Sequence, residues 1–512
     1  MEKIDMRNMP TEILLKIFEC LTLKNLKVAM LVCQKWKMIA ENCRRLWKRC
    51  IITLSYKDDL PKLQNKIRRA ESIGNIFMDV CQPKELADMI TEILRIQKVR
   101  HLEGLANKNL CYVEPCQLSQ LINMVEEVDW DSKTVITNEQ ADIVLKGMGQ
   151  ATRLKSLKIV NRNFVNVNQD VISLAVNNLE ELLLIDSPKS QNLRTEQLIS
   201  IFSAMCKETK LKTLNLENID ISKVEPLTLA AALTKVEKVI IWKESKHPRQ
   251  SDLSPQQANL FFSALQQKTE LKTLLIRTWN IVLVDPEVLA NALNNLEEIT
   301  ILHDMITEQQ AMQLFIRMSE KSYLQKFTIM NINLSTVEPK SLAKGVSKMR
   351  ELKMFNCNFT SSQIIAIFSQ LQESKTLIKL NFGMNDLSVL ESKIVAKLVN
   401  NVMKMTIQDN VLSFEHTRCI FKQCAEETKL KYFDVRNTDI SHIEPKLLAK
   451  AFNNIEEVRI NGCFLTKEQL NRILKDYLNE EESKMKNIYF VNENMNAVQD
   501  EIMAKLNEKF SI

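Results

Sequence analysis

A chain of 512 residues, 45% hydrophobic and 26% charged, reads as folded and too long for one compact core, so several domains or a repeat array are expected. Its 69 basic and 63 acidic residues leave a net charge of +6. No apolar run approaches the length that spans a bilayer, and Met1–Arg7 has neither an apolar core nor a cleavage signal, which argues against membrane insertion and secretion. The 12 scattered cysteines then read as reduced thiols of a cytoplasmic and/or nuclear protein.

The first fifty residues predict three short helices. Pro10 suits a first helical turn, where its missing N–H would be unpaired anyway. Ile13, Leu14, Ile17, Phe18 and Leu21 follow at three- and four-residue steps, which places them on one face. Leu26, Met30 and Leu31 suggest a second helix, and Trp36, Ile39 and Ala40 a third. So small a module buries little apolar surface and is expected to complete its core against a partner or against the domain that follows.

The set Met9-Pro10, Ile13-Leu14, Ile17-Phe18, Leu21, Leu26, Val32-Cys33, Trp36 and Leu46-Trp47 resembles the F-box, with Met9 standing where the family usually has leucine. The resemblance implies that residues 1–50 dock on the Skp adaptor of cullin-RING ubiquitin ligases, with Pro10, Ile13, Leu14, Ile17, Phe18, Leu21, Val32, Trp36 and Trp47 as contacts or their supporting core. Residues 1–50 hold 11 basic and 5 acidic residues, so the whole basic excess lies here. That excess favours an acidic partner surface. Its lysines and arginines lack the interleaved aromatics of a nucleic-acid reader, so no nucleic acid is expected.

Residues 51–98 are less regular and read as a helical linker, with a helix over Leu60–Ile73, and an atypical first repeat. From residue 99 to 490 an apolar-x-x-apolar-x-apolar segment recurs, as at Leu154-Leu157-Ile159, Leu179-Leu182-Leu184, Leu324-Phe327-Ile329 and Met349-Leu352-Met354. Steps of 25 residues (154 to 179, 324 to 349, 430 to 455) alternate with steps of 28 to 35. Each step carries a helix. One type starts at an acid followed by proline, as at Glu225-Pro226 and Asp285-Pro286, and the other at a capped Thr195-Glu196-Gln197 or Thr307-Glu308-Gln309.

A short strand and a helix repeated every 25–30 residues is the leucine-rich-repeat pattern, and the alternation resembles its ribonuclease-inhibitor-like subclass. The expected fold is α/β: a short all-helical F-box, then a leucine-rich-repeat solenoid curved as a horseshoe, with a parallel concave sheet and outer helices. Residues 491–512 read as a C-terminal capping helix.

On the concave sheet, residues between the repeat leucines should face outward. These include Leu183, Ile185, Ile240, Trp242, Leu275, Arg277, Leu302, Met330 and Phe355, of which Trp242, Leu275, Arg277, Met330 and Phe355 are candidate target contacts. The longest step places an insertion at Lys243–Pro255, just after Trp242.

Catalytic chemistry finds no support. Seven glycines form no phosphate-binding loop, and His101, His247, His303, His416 and His442 stand singly. Cys111 with Cys116, and Cys419 with Cys424, lack a second pair, so neither metal nor cofactor is expected. The paired acids Glu180-Glu181, Glu297-Glu298 and Glu456-Glu457 recur at one point of the repeat and read as its grammar. The resemblance therefore implies a non-catalytic substrate receptor of an SCF-type ubiquitin ligase, joined through Skp to cullin and a RING subunit and holding an unnamed protein target. The alternative is a repeat scaffold or inhibitor that binds a protein without ubiquitylation, its helical N-terminus only a cap.

Overall fold

The computed structural model describes residues 11–21, 23–42, 51–54, 73–78, 90, 99–103, 108–130, 136–150, 153–160, 167–185, 194–242, 253–267, 269–277, 281–302, 306–320, 322–426, 428–478, 484–485, 487–491 and 502. The chain divides into two units, Met1–Asp252 and Leu253–Ile512.

The first unit opens with three helices, α1 (Thr11–Cys20), α2 (Leu23–Ala29) and α3 (Gln34–Asn42). Eight strands follow: β1 (Ile51–Leu54), β2 (Ile73–Met78), β3 (Val99–Glu103), β4 (Glu127–Trp130), β5 (Ser156–Ile159), β6 (Glu181–Ile185), β7 (Thr213–Glu217) and β8 (Lys238–Trp242). Each pairs in parallel with the next. Helices α4 (Pro115–Met124), α5 (Asn138–Gln150), α6 (Gln169–Asn177), α7 (Thr195–Met205) and α8 (Pro226–Leu233) lie between strands and pack on their sequence neighbours.

The segment read as a helical linker and atypical repeat thus holds β1 and β2, and Ile73 opens β2 rather than ending a helix. Residues 55–72, where the rest of that helix was expected, lie outside the described residues.

The second unit contains β9 (Thr273–Arg277), β10 (Glu298–Leu302), β11 (Lys326–Met330), β12 (Glu351–Phe355), β13 (Lys379–Gly383), β14 (Lys404–Gln408), β15 (Tyr432–Arg436), β16 (Glu457–Asn461) and β17 (Asn487–Val491). Again each strand is parallel to the next. Its helices are α9 (Pro255–Leu265), α10 (Pro286–Asn294), α11 (Glu308–Glu320), α12 (Pro339–Val346), α13 (Ser361–Leu371), α14 (Ser392–Asn401), α15 (Phe414–Glu426), α16 (Pro445–Asn453) and α17 (Lys467–Leu478). Of the expected capping helix over residues 491–512, Val491 instead ends β17, and Ile502 is helical and buried.

The repeat leucines build the core as their spacing predicts. In register across β10–β13, Ile299, Phe327, Leu352 and Leu380 form one buried row, and Ile301, Ile329, Met354 and Phe382 the next. Parallel register keeps every inward side chain beside its counterpart in the next repeat, so the rows pack as continuous stripes. Asn218, Asn331, Asn356 and Asn437, which follow strands, adopt positive φ between 50° and 57°. Asparagine tolerates that left-handed turn better than most side chains.

Helix starts follow two rules. Before proline, Glu225 accepts from the Leu227 and Thr228 amides, and Asp285 from those of Glu287 and Val288. Those amide bonds to the charged form hold the Glu225 carboxyl below the usual carboxylate range. The longer helices instead use a buried glutamine at their third position.

Gln363 is 1% exposed. Its Oε1 accepts from the Thr360 amide at 2.8 Å, and its Nε2 donates to the carbonyl oxygens of Leu334 and Val337 in the preceding repeat. Gln140, Gln310 and Gln469 make the same pair of reaches, and Gln197 bonds Arg194 and Val167. Each glutamine thus satisfies helix-start and loop groups that burial would otherwise leave unpaired, and staples one repeat to the one before it. The helix after Arg194 therefore starts its cap one residue earlier than Thr195.

Candidate functional site

The N-terminal module has a core of Leu14, Phe18, Leu26, Ala29, Trp36 and Ala40, with Leu15, Ile17, Leu21, Met30, Cys33 and Ile39 packed partly against it. Phe18 and Trp36 meet edge to face at 5.4 Å between ring centroids. Of the residues singled out for docking, Leu14, Phe18 and Trp36 are therefore the supporting core. Ile17 and Leu21 are half-buried, and Ile13 and Val32 are exposed. Pro10 and Trp47 lie outside the described residues.

Three further apolar side chains face solvent. Leu31 is 84% exposed, Val28 58% and Met38 56%. In a module of this size, five large apolar side chains outside the core are more than isolated exposure would leave. Val28 and Met38 carry a sequence signal only in hindsight: each is apolar and out of phase with its own helix's buried positions. Trp36 Nε1 is buried with no acceptor among the described residues.

In the second unit the outward face of the sheet resolves into three rows. Leu302, Met330 and Phe355 stand side by side in the C-terminal row, flanked by Arg277 on one edge and Gly383 on the other. A Cβ at Gly383 would collide with the Phe355 ring, so the missing side chain is the space Phe355 occupies. Leu275 belongs to the middle row, beside Thr300. Trp242 belongs to the first unit, where Glu217 separates it from Ile185 and Asn215 separates Ile240 from Leu183. The apolar band is therefore continuous over three strands of the second unit and interrupted by polar residues in the first.

Beyond β13 the face becomes polar. Asp434, 1% exposed, receives Arg436 through Nε at 2.9 Å and Nη2 at 2.6 Å, and lies 3.3 Å from the Tyr432 hydroxyl. Donating to the Asp434 carboxylate holds the Arg436 guanidinium charged more firmly than usual. Arg459 lies between the rings of Tyr432 and Tyr489, at 5.4 and 4.9 Å from their centroids, and pairs with Glu457. Sequence reading did not find this cluster, because a polar residue at an outward strand position looks like any solvated surface residue.

His416 takes the place of the stapling glutamine in its repeat. Its Nε2–H donates to the Leu390 carbonyl at 3.0 Å and its Nδ1 lies 2.5 Å from Ser413 Oγ. His442 Nε2 bonds Thr417 Oγ1, and His101 lies in β3. His247, His303 and the insertion up to residue 252 lie outside the described residues. Cys424 is a buried thiol of α15, while Cys419, on the same helix, is half-buried and bonds Glu415 and Ser392. Among the described residues no group of three or more His, Cys, Asp or Glu could hold a metal ion, and no helix is long and apolar enough to cross a membrane.

Residues 6–53 match the F-box-like family model. No curated protein matches the sequence significantly. Among solved structures, the chain is similar to one in the crystal structure of the Rad7 and Elc1 complex in yeast, at 12% identity and a TM-score of 0.42, over 93% of this chain and 100% of that one. The F-box-like segment is thus followed by parallel strand-and-helix repeats.

Proposed function

We propose that the protein is the substrate-recognition subunit of an SCF-type ubiquitin ligase. The observation that carries this reading is the F-box-like segment at residues 6–53, whose helices leave Ile13, Leu31 and Val32 outside their core. In this reading Ile13 and Val32 touch the Skp adaptor, with Ile17 and Leu21 at the edge of the contact. Leu14, Phe18 and Trp36 hold the helices that present them, and Pro10 and Trp47 are proposed with them as adaptor contacts or supporting core. The basic excess of residues 1–50 complements an acidic adaptor surface. Cullin and a RING subunit join through the adaptor.

The repeats hold a target protein, with Leu275, Arg277, Met330 and Phe355 as contacts in the second unit and Trp242 in the first. The chain itself makes no covalent bond. It raises the local concentration of a target lysine near the charged ubiquitin-conjugating enzyme, in the cytoplasm or nucleus.

The test is co-expression of the full chain with a Skp adaptor and recovery of the complex, beside the double variant Ile13→Asp, Leu31→Asp. Both positions are exposed, so the variant charges the docking face without placing a carboxylate in the core. The expected result is a stoichiometric complex that the variant loses by about a hundredfold in affinity. A folded intact chain that captures no adaptor would leave the repeat-scaffold reading in its place.

A further inference from the structure

Most charges on the outward sheet face of the second unit are already paired. Lys326 lies 3.6 Å from both Glu298 and Glu351, and Lys379 lies 3.8 Å from Glu351. Farther along, Arg436 is held by Asp434 and Arg459 by Glu457. Lys353 breaks this pattern. It stands in the middle row of β12, half-buried, in register with Thr328 on one side and Asn381 on the other. Among the described residues no carboxylate pairs with it.

Its surroundings add charge of the same sign. Partial burial, then the like charges of Lys379 and Arg436, push its ammonium below the usual lysine range. Lys404, in the next strand but one, is exposed and also has no ion pair among the described residues. Over β12–β16 the outward positions carry five cations (Lys353, Lys379, Lys404, Arg436, Arg459) against three carboxylates (Glu351, Asp434, Glu457). Beside Lys353, the Asn381 Oδ1 is buried with no donor among the described residues. A half-desolvated cation without a counter-charge is costly to maintain, and a ligand bearing a carboxylate would relieve it.

We propose that the sheet face of β12–β14 binds an extended acidic segment of a partner protein. One carboxylate of the segment sits on Lys353, with Lys404 adding attraction. The proposal rests on the reading above that the repeats hold a target, and it names the chemistry of that target: a run of aspartates or glutamates rather than a basic or apolar segment.

The test measures binding of fluorescein-labelled decaglutamate to the purified full chain by anisotropy, with decalysine as the opposite-charge probe. Two variants are compared, Lys353→Met and Lys446→Met, the latter an exposed lysine on α16. Because residues 1–50 are basic and can also attract the probe, the difference between the variants is the decisive reading. Lys353→Met should weaken decaglutamate binding at least fivefold while Lys446→Met leaves it unchanged, with unaltered thermal transitions in both. Equal binding by the two variants, or no saturable decaglutamate binding by the intact chain, overturns the proposal. Adaptor capture by the same proteins separates the two readings. Capture without Lys353-dependent binding leaves the ligase reading standing and removes only this one. Lys353-dependent binding without capture removes the ligase reading and leaves an acidic-segment receptor.

Discussion

The N-terminal helices and the repeats of the second unit solve the burial problem in opposite ways. The module closes on six buried side chains and leaves Ile13, Val28, Leu31, Val32 and Met38 substantially exposed. The repeats bury nearly every inward leucine and phenylalanine, and they use glutamines to satisfy the polar groups that burial traps. The difference separates a module that leaves large apolar side chains outside a small core from repeats that bury theirs against one another. Small size favours the first outcome, and stacking of like units permits the second.

The largest expected effect tests the module. Leu14→Asp places a carboxylate at a fully buried position with no cation in that core, at a cost of about 3–5 kcal/mol. Residues 11–42 should become protease-sensitive and adaptor capture should vanish, while the thermal transition of the repeats persists. Loss of both together would break the comparison, because the module would then be part of the repeats' cooperative unit.

The middle effect tests the repeats. Gln363→Ala strips two carbonyls and one amide of their partners at a 1% exposed site, and should cost about 2–3 kcal/mol in urea unfolding. Gln363→Glu keeps the acceptor but loses the donor and should be at least as damaging. A near-neutral Gln363→Ala would show that the staple is ornamental and that leucine packing alone sets the stability.

Much of this was legible in the sequence because strand phase is strict. With a period of two, Leu352 and Met354 must face one way once Glu351, Lys353 and Phe355 face the other. Helix starts at acid-proline pairs were legible for the same local reason. The staple was not: Gln310 and Gln363 sit in a capping motif, and such motifs normally lie at solvent-exposed helix ends. Their second bond goes to a loop some 26 to 29 residues earlier, beyond any local pattern. Within the module the ambiguity was one of phase. On a helix of ten residues, Ile13 and Leu14 both fit the apolar stripe, yet Ile13 is 45% exposed and Leu14 fully buried.

The smallest effect per residue sharpens the contrast through pH. Burial pushes the thiols of Cys357 and Cys424 up to about 12, and that of Cys463 up to about 11. A thiol whose pKa is raised by folding stabilises the fold fully below the unfolded value near 9 and loses that contribution as pH climbs through the folded one. The urea midpoint of the repeats should therefore fall between pH 8 and pH 10.5, by about 1 kcal/mol per buried thiol at pH 10. Cys424→Ala should remove one share of that alkaline loss; an unchanged profile would show that these thiols do not govern it.

The glutamine staple also bears on how such a chain can change length. Gln140, Gln310, Gln363 and Gln469 each bond their own helix start and the loop of the repeat immediately before it. Nothing in that geometry counts how many repeats stand on either side. A duplication or deletion of one whole long-and-short pair would restore every bond at the junction, whereas loss of a single residue inside a pair would leave a buried amide with nothing to hold. Over evolutionary time the number of repeats is thus free to drift in pairs, while the spelling inside each pair stays under constraint.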